Sequence, residues 1–256
     1  MTFYAINQKF RAAPADRAAE PCGDRVLKVA EMFGIGLDES YEVALYRDLR
    51  IDVRAGDVVF ITGPSGSGKS VLLRSLVQAI RQDHGTNAHV VNLPDSAADA
   101  TGGAPHRPVI DLVTGPLERA LRLLSAAGLA DAFLLLRTPQ ELSDGQRYRL
   151  RLALALDALL SGAPADAPGA PRPPCLRAGL SILVADEFCS TLDRLCARAV
   201  AYRVRRLSTS QGVTVLAASA HDDLAEDLAP DVLIIKHEGS GVDVLYADPS
   251  RAEARL

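Results

Sequence analysis

Residues 58–70 read VVFITGPSGSGKS, an apolar run that breaks into a glycine-rich turn ending on a lysine and a serine. No other stretch constrains the chain so tightly. Residues 58–62 are rich in β-branched and aromatic side chains, as a buried strand requires. From 70 to 82 the residues Val71, Leu72, Ser75, Leu76 and Ala79 recur at helical spacing. Between the two runs, Gly63, Pro64, Ser65, Gly66, Ser67, Gly68, Lys69 and Ser70 turn the chain at a helix N-terminus, where unpaired amides and the helix dipole favour an anion. This order, in this strand–turn–helix context, matches a phosphate-binding loop, with Val71 next to it in the helix. Backbone N–H groups would wrap the phosphates, Lys69 would reach the β- and γ-phosphates, and Ser70 would offer its hydroxyl to Mg²⁺. A glycine-rich turn with an incidental lysine is the bland alternative, and the agreement of pattern with context argues against it. Lysine is otherwise confined to Lys9, Lys28 and Lys236. Lys69 is the one lysine expected to have a chemical role.

Composition closes off other classes. A chain of 256 residues with 48% hydrophobic and 23% charged residues is ordinary globular material, not a disordered one. A formal net charge of −4 argues against a generally basic nucleic-acid binder. Arg203, Arg205 and Arg206 cluster on one stretch and read as a solvated face. Cys22, Cys175, Cys189 and Cys196 are too scattered for a zinc site and too sparse for a disulfide scaffold. The first residues carry no secretion-type apolar stretch, and no run is long enough to span a bilayer, so a cytoplasmic location is expected.

Along the chain, residues 1–24 are expected to be a flexible arm and 247–256 a tail, with 25–246 as the folded body. Strand-like runs fall at 26–29, 43–53, 58–62, 89–93, 109–113, 180–185, 213–218, 232–236 and 242–246. Helical spacing falls at 70–82, 117–127, 144–160 and 192–207. The proline-rich residues 161–179 read as a low-complexity insertion. Alternating strands and helices indicate an α/β fold with a largely parallel sheet.

A second chemical feature lies at the end of 180–185, LSILVA, apolar on both faces and followed abruptly by Asp186 and Glu187. The C-terminal edge of such a strand is where open α/β sheets place ligand chemistry. Asp186 is expected to hold Mg²⁺ through water, and Glu187 to act as general base on the attacking water. A pair that merely caps the next turn is the alternative.

Leu142-Ser143-Asp144-Gly145-Gln146 resembles the LSGGQ signature of ATP-binding-cassette (ABC) ATPases, and it opens a helix between the lysine loop and the double carboxylate. Ser190-Thr191-Leu192-Asp193 resembles that family's D-loop, and His221 after VTVLAAS its switch histidine. The resemblance runs over nearly the whole chain with the motifs in family order. It implies a P-loop NTPase of ABC type: a mostly parallel central sheet, an antiparallel β subdomain and a helical lobe, here at about 112–160. It also implies a head-to-tail dimer with ATP and Mg²⁺ bound between subunits. Ser143, Gly145 and Gln146 of one subunit would face the nucleotide held by its partner, Asp193 would communicate across the dimer, and His221 would contact the γ-phosphate. Tyr41 falls where the family places the aromatic that stacks on adenine, although Tyr46 is close by.

Four departures shape the expectation. No glutamine stands at the Q-loop position; Asp111 is nearest and is either an Mg²⁺ and water-sensing substitute or an exposed loop carboxylate. The helical lobe is shortened relative to transporter cassettes. Asp144 replaces a glycine beside the phosphate site, which is tolerable if it points away or pairs with Arg147 or Arg149. Phe188-Cys189 stands where transporters carry Pro-Thr, and Cys189 is either packing or a reactive thiol. These features resemble soluble, stand-alone cassettes, some associated with acetyltransferase-like (GNAT) domains. The sequence therefore favours an ATP hydrolase, as a homodimer, acting on a soluble effector. A subunit of a membrane transporter is the alternative, with residues 129–136 forming a groove for the permease. Long coiled-coil insertions of nucleic-acid maintenance ATPases are missing from the sequence.

Overall fold

The computed structural model describes residues 3–12, 24–34, 41–96, 106–161, 180–239 and 241–253. Two sheets organise the chain. The smaller is an antiparallel pair, β1 (Phe3–Ala12) and β2 (Tyr41–Asp52). The larger has six strands: β3 (Val58–Thr62), β4 (Ala88–Asn92), β5 (Leu180–Ala185), β6 (Thr214–Ser219), β7 (Val232–Lys236) and β8 (Val242–Tyr246). Their spatial order is β4-β5-β6-β3-β7-β8, parallel throughout except for β8 against β7.

Alternation along each central strand builds two cores. Val58, Phe60, Leu183, Ala185, Val215 and Ala217 face one side of the large sheet, where they meet α5 (Asp144–Ser161) and α6 (Arg194–Gln211). The intervening Val59, Ile61, Ile182, Val184, Leu216 and Ala218 face the other side, against α2 (Lys69–His84) and the small sheet. Strands buried on both faces read as unbroken apolar runs, which is why 58–62 and 180–185 carry no polar alternation. Each fully buried aliphatic side chain here stabilises by about 1.5–3 kcal/mol relative to exposure.

The helical lobe comprises α3 (Leu117–Ala126), α4 (Ala132–Leu135) and the N-terminal part of α5. Leu123, Leu124, Leu129, Leu135 and Leu142 bury into the same core as α5 and α6, so the lobe is continuous with the body. The remaining helices are α1 (Asp24–Phe33), α7 (Leu224–Leu228) and α8 (Ser250–Glu253).

The structure departs from the sequence reading in three places. Residues 3–12, assigned to a flexible arm, form β1: Tyr4 and Ile6 point inward and are buried, while Ala5 and Asn7 are exposed. The alternation was too short to stand out, and the partner strand lies far along the chain. Residues 26–29, expected as a strand, lie in α1. Val26, Val29, Ala30 and Phe33 also fit helical spacing, and a window of four residues does not separate the two periods. Residues 109–113, also expected as a strand, make a 3₁₀ turn at Val109–Leu112 after Pro108 and bury Val109 instead of pairing with a sheet. Within the C-terminal tail, Arg251 is buried and bonds to the Asp52 and Asp57 carboxylates at 3.1 and 2.7 Å. The proline-rich insertion from 162 to 179 lies outside the described residues.

Candidate active site

Because β3, β5 and β6 are parallel neighbours, the loops that follow them leave from one edge of the sheet. Thr62 pairs with Ser219, and Ala185 with Ala217. This register brings together the glycine-rich turn after β3, Asp186 and Glu187 after β5, and His221 after β6. All three lie at the C-terminal edge, as expected for ligand chemistry in such sheets.

In the glycine-rich turn, Gly63 has φ 145° and packs against the backbone of Lys236 at the end of β7. A β-carbon there would collide with the Lys236 carbonyl oxygen, so the close approach of loop to strand requires glycine. Gly68, at φ 99°, caps α2 with no side chain bonding to the first-turn amides. Val71 N–H turns back to the Gly68 carbonyl at 3.0 Å, and the amides of Lys69 and Ser70 are left for an anion. The Lys69 ammonium folds back over the loop and donates to the carbonyls of Gly63 and Pro64 at 2.8 and 2.6 Å. Burial lowers its pKa, an effect opposed by the charges of Asp186 and Glu187. The Ser67 hydroxyl, buried in the same turn, has no hydrogen-bond partner. A cradle with an unsatisfied buried hydroxyl and a lysine resting on its own carbonyls fits a phosphate chain that would engage both.

Across the edge, the Ser70 hydroxyl donates to Asp186 Oδ1 at 3.0 Å, and the Glu187 amide donates to the same oxygen at 3.0 Å. Glu187 and Cys189 adopt left-handed backbone conformations, at φ 49° and 59°. Non-glycine residues held there cost about 1–3 kcal/mol each, so the surroundings must impose them. The restraints are visible: Phe188 N–H donates to the Ala218 carbonyl at 2.7 Å, Cys189 N–H to the Tyr148 hydroxyl at 2.8 Å, and Ser190 N–H to the Glu187 carbonyl at 3.0 Å. The Cys189 thiol is buried and its pKa pushed up to about 12 by that burial, which makes it a packing residue.

The signature opens α5 with a reciprocal cap. Ser143 N–H donates to Gln146 Oε1 at 3.0 Å, and Gln146 N–H to the Ser143 hydroxyl at 3.3 Å. Ser143 itself is exposed. Asp144 points into solvent and pairs with Arg147 at 3.5 Å, while Arg149 donates to the Gly145 and Gly128 carbonyls at 3.2 and 2.9 Å. Gly145 sits against Leu192 and the Thr191 carbonyl, so signature and D-loop stack within one subunit. Asp193 caps α6 by accepting from Cys196 N–H at 3.0 Å, and the hydrogen bonds from Cys196 hold its carboxyl below the usual range. Among the described residues, no hydrogen bond joins Ser143, Gly145 or Gln146 to Lys69, Ser70 or Asp186.

A family model described as an AAA ATPase domain matches residues 42–217, more than half of the chain. A phosphonates import ATP-binding protein from Hyphomonas neptunium is 28% identical over 233 residues, covering 76% of this chain and 78% of that protein. An aliphatic sulfonates import ATP-binding protein from Rhodococcus jostii is 29% identical, covering 87% of each. Among solved structures, the dimeric ATP-binding cassette MJ0796 in a post-hydrolysis state with ADP and Pi shares the fold. Its TM-score is 0.55 at 17% identity, covering 81% of this chain and 94% of that one.

The chain belongs to the ABC ATPases.

Within this cassette the outlying site residues behave differently. Tyr41 opens β2, paired with Ala12, and its side chain lies outside the described residues. Its neighbour Tyr46 is buried beneath the glycine loop and donates to the Gly68 carbonyl at 2.8 Å, so Tyr46 supports the loop from below. Asp111 is exposed on the Val109–Leu112 turn, and among the described residues no hydrogen bond ties its carboxylate to Ser70 or Asp186. His221 is exposed, with its N–H donating to the Ser219 hydroxyl at 3.2 Å. Arg203 and Arg205 are not merely solvated: Arg203 donates to the Ser125 carbonyl at 2.6 Å and Arg205 to the Asp231 carboxylate at 2.5 and 3.1 Å.

Lys69 is not alone among lysines in having a defined role. Lys236 is fully buried at the end of β7, its ammonium bonding to the carbonyls of His237, Gly239 and Gly241. It also lies 5.5 Å from the centre of the Tyr46 ring, and burial lowers its pKa. Lys236 and Tyr46 thus form a layer under the cassette's phosphate loop. Only a charged residue interrupting an otherwise apolar strand, VLIIK, hinted at this in the sequence.

The donor set also fits a hard cation. Ser70 and Asp186 supply one hydroxyl and one carboxylate, leaving further positions to phosphate oxygens and water, as Mg²⁺ prefers. No cluster of three or more His, Cys, Asp or Glu residues suited to a metal occurs among the described residues.

Proposed function

We propose that this cassette hydrolyses Mg-ATP at composite sites of a head-to-tail dimer, as the energy-supplying subunit of a membrane import system. The contact between the Ser70 hydroxyl and Asp186, with Glu187 next in sequence, carries the hydrolytic part. In this reading the amides of Gly66, Gly68, Lys69 and Ser70 bind the phosphates and Lys69 neutralises the β- and γ-oxygens. Ser70 and Asp186 would hold Mg²⁺, and Asp111 would serve the same ion. When bound, the ion disperses charge that builds on the β–γ bridging oxygen. Glu187 takes the proton of the water whose oxygen attacks the γ-phosphorus, the bond to the bridging oxygen breaks, and ADP and phosphate leave. His221 donates a hydrogen bond to the γ-phosphate, and Tyr41 stacks on adenine. The partner subunit presents its own signature residues, and Asp193 lies at the seam.

The choice of partner rests on the relatives and on the helical lobe. The relatives named above are import ATP-binding proteins, a hemin import protein from Shewanella denitrificans is similar at 28% identity, and none of these names points to an acetyltransferase-like effector. Their cargoes differ at nearly equal similarity, so no cargo is favoured. Within residues 129–136, Leu129 and Leu135 are buried as packing, whereas Phe133 and Leu136 stand 79% and 72% exposed beside the Val109–Leu112 turn. Two large apolar side chains in water next to that turn suit a permease surface. No helix among the described residues is long and apolar enough to cross a membrane, and in this reading attachment runs through the permease.

The test is co-sedimentation with membranes of the native host. The wild-type chain should pellet with them, and Phe133→Asp should remain in the supernatant while its basal ATP hydrolysis is unchanged. A wild-type chain that stays in the supernatant would return the soluble effector to first place.

A further inference from the structure

The turn that carries Glu187 is held from the signature helix by a side chain to which the mechanism so far gives no role. Tyr148 lies one turn into α5, past the Ser143–Gln146 cap, and is buried. Its hydroxyl accepts the Cys189 N–H at 2.8 Å in the core, and the Arg151 guanidinium covers its ring at 5.4 Å. Cys189 is one of the two left-handed residues that aim Glu187, and the other is Glu187 itself. On the opposite flank a β-carbon on Gly145 would stand 3.4 Å from Leu192 and 3.7 Å from the Thr191 carbonyl, so α5 runs close to both ends of the segment from Glu187 to Leu192. A shift of the α5 N-terminus therefore moves this segment through a hydrogen bond and a packing contact rather than through loose loop.

We propose that Tyr148 is a positioning residue that couples the two nucleotide sites of the dimer: engagement of Ser143 by the partner's nucleotide sets the aim of Glu187 in the subunit's own site. The inference rests on the composite-site reading and on Glu187 as base. In such a dimer the signature of one subunit and the carboxylate of that same subunit serve different nucleotides, and Tyr148 bonds the signature helix to the carboxylate turn. An unpaired left-handed amide at Cys189 would let the turn relax toward ordinary backbone angles and carry Glu187 with it. Small misplacements of a base reduce the rate far more than they reduce binding.

Tyr148→Phe keeps the ring and removes only the hydroxyl, and with it the acceptor for Cys189 N–H. Steady-state ATP hydrolysis should be cooperative in the wild type, with a Hill coefficient above 1. In Tyr148→Phe we expect kcat about tenfold lower, KM within about twofold, and the Hill coefficient near 1. A melting curve within a few degrees of wild type shows that the fold is retained. Unchanged kcat and cooperativity, or a KM that rises in step with the loss of kcat, would overturn the proposal. Glu187→Gln separates the two levels. If it hydrolyses ATP at the wild-type rate, the reading of Glu187 as base fails, and the coupling with it. If it is inactive while Tyr148→Phe behaves as wild type, only the coupling fails.

Discussion

The glycine turn after β3 and the carboxylate turn after β5 face each other across one sheet edge, yet they are built on opposite plans. The first is largely self-contained: Lys69 bonds to Gly63 and Pro64, Ser67 N–H to the Pro64 carbonyl at 3.3 Å, and the conformation follows from glycines at set places. The second is held from outside, by Ser70 on α2, Ala218 on β6 and Tyr148 on α5. A loop held mostly by its own hydrogen bonds asks of the rest of the molecule little beyond its seat on Lys236 and Tyr46. A turn whose non-glycine residues sit at positive φ needs the rest of the molecule assembled around it. The difference suits the two tasks, since binding phosphate calls for a ready cradle, whereas hydrolysis profits from a base whose aim depends on distant contacts.

The largest effect that would break this contrast is at Gly63. Gly63→Ala should destabilise the fold by about 3 kcal/mol, read as a lower denaturation midpoint, and abolish ATP binding, because the methyl meets the Lys236 carbonyl. Near-normal binding would mean that the loop is less tightly seated against β7 than described. The tenfold loss of kcat expected for Tyr148→Phe is the corresponding test of the second turn, intermediate in size. The smallest effect concerns Cys189. With its thiol pushed up to about 12 from 9.0, the folded protein keeps a proton that the unfolded chain releases. That difference makes stability fall as pH rises from about 9 toward 12, and Cys189→Ala should flatten the slope. At pH 8 the native thiol should resist iodoacetamide until denaturant is added; rapid native labelling would show that the turn opens readily.

What could be read from the sequence divides along the same line. The glycine turn, the double carboxylate and the signature were legible because each is a run of adjacent residues whose chemistry follows from spacing. The central strands were legible because burial on both faces leaves unbroken apolar runs. Tyr148 and Tyr46 were not, since the groups they bond, Cys189 and Gly68, lie far away in sequence; Lys236 bonds to carbonyls just beyond it in the chain, and only the folded sheet and loop bury it there. β1 was missed for a similar reason: its pairing partner β2 begins about thirty residues after it ends, and Tyr4 and Ile6 alone make a weak alternation. The soluble-partner expectation came from departures in the signature and lobe. Asp144 proves to be a solvent-facing residue paired with Arg147, which removes it as a reason to set this chain apart from transporter cassettes.

Everything proposed for this cassette depends on nucleotide being shared between two subunits. The direct measurement is light scattering of Glu187→Gln with and without Mg-ATP, with Lys69→Ala as the control that should not bind. The account predicts a doubling of mass on adding ATP to Glu187→Gln and no change in Lys69→Ala. Glu187→Gln that binds ATP and remains monomeric would contradict it.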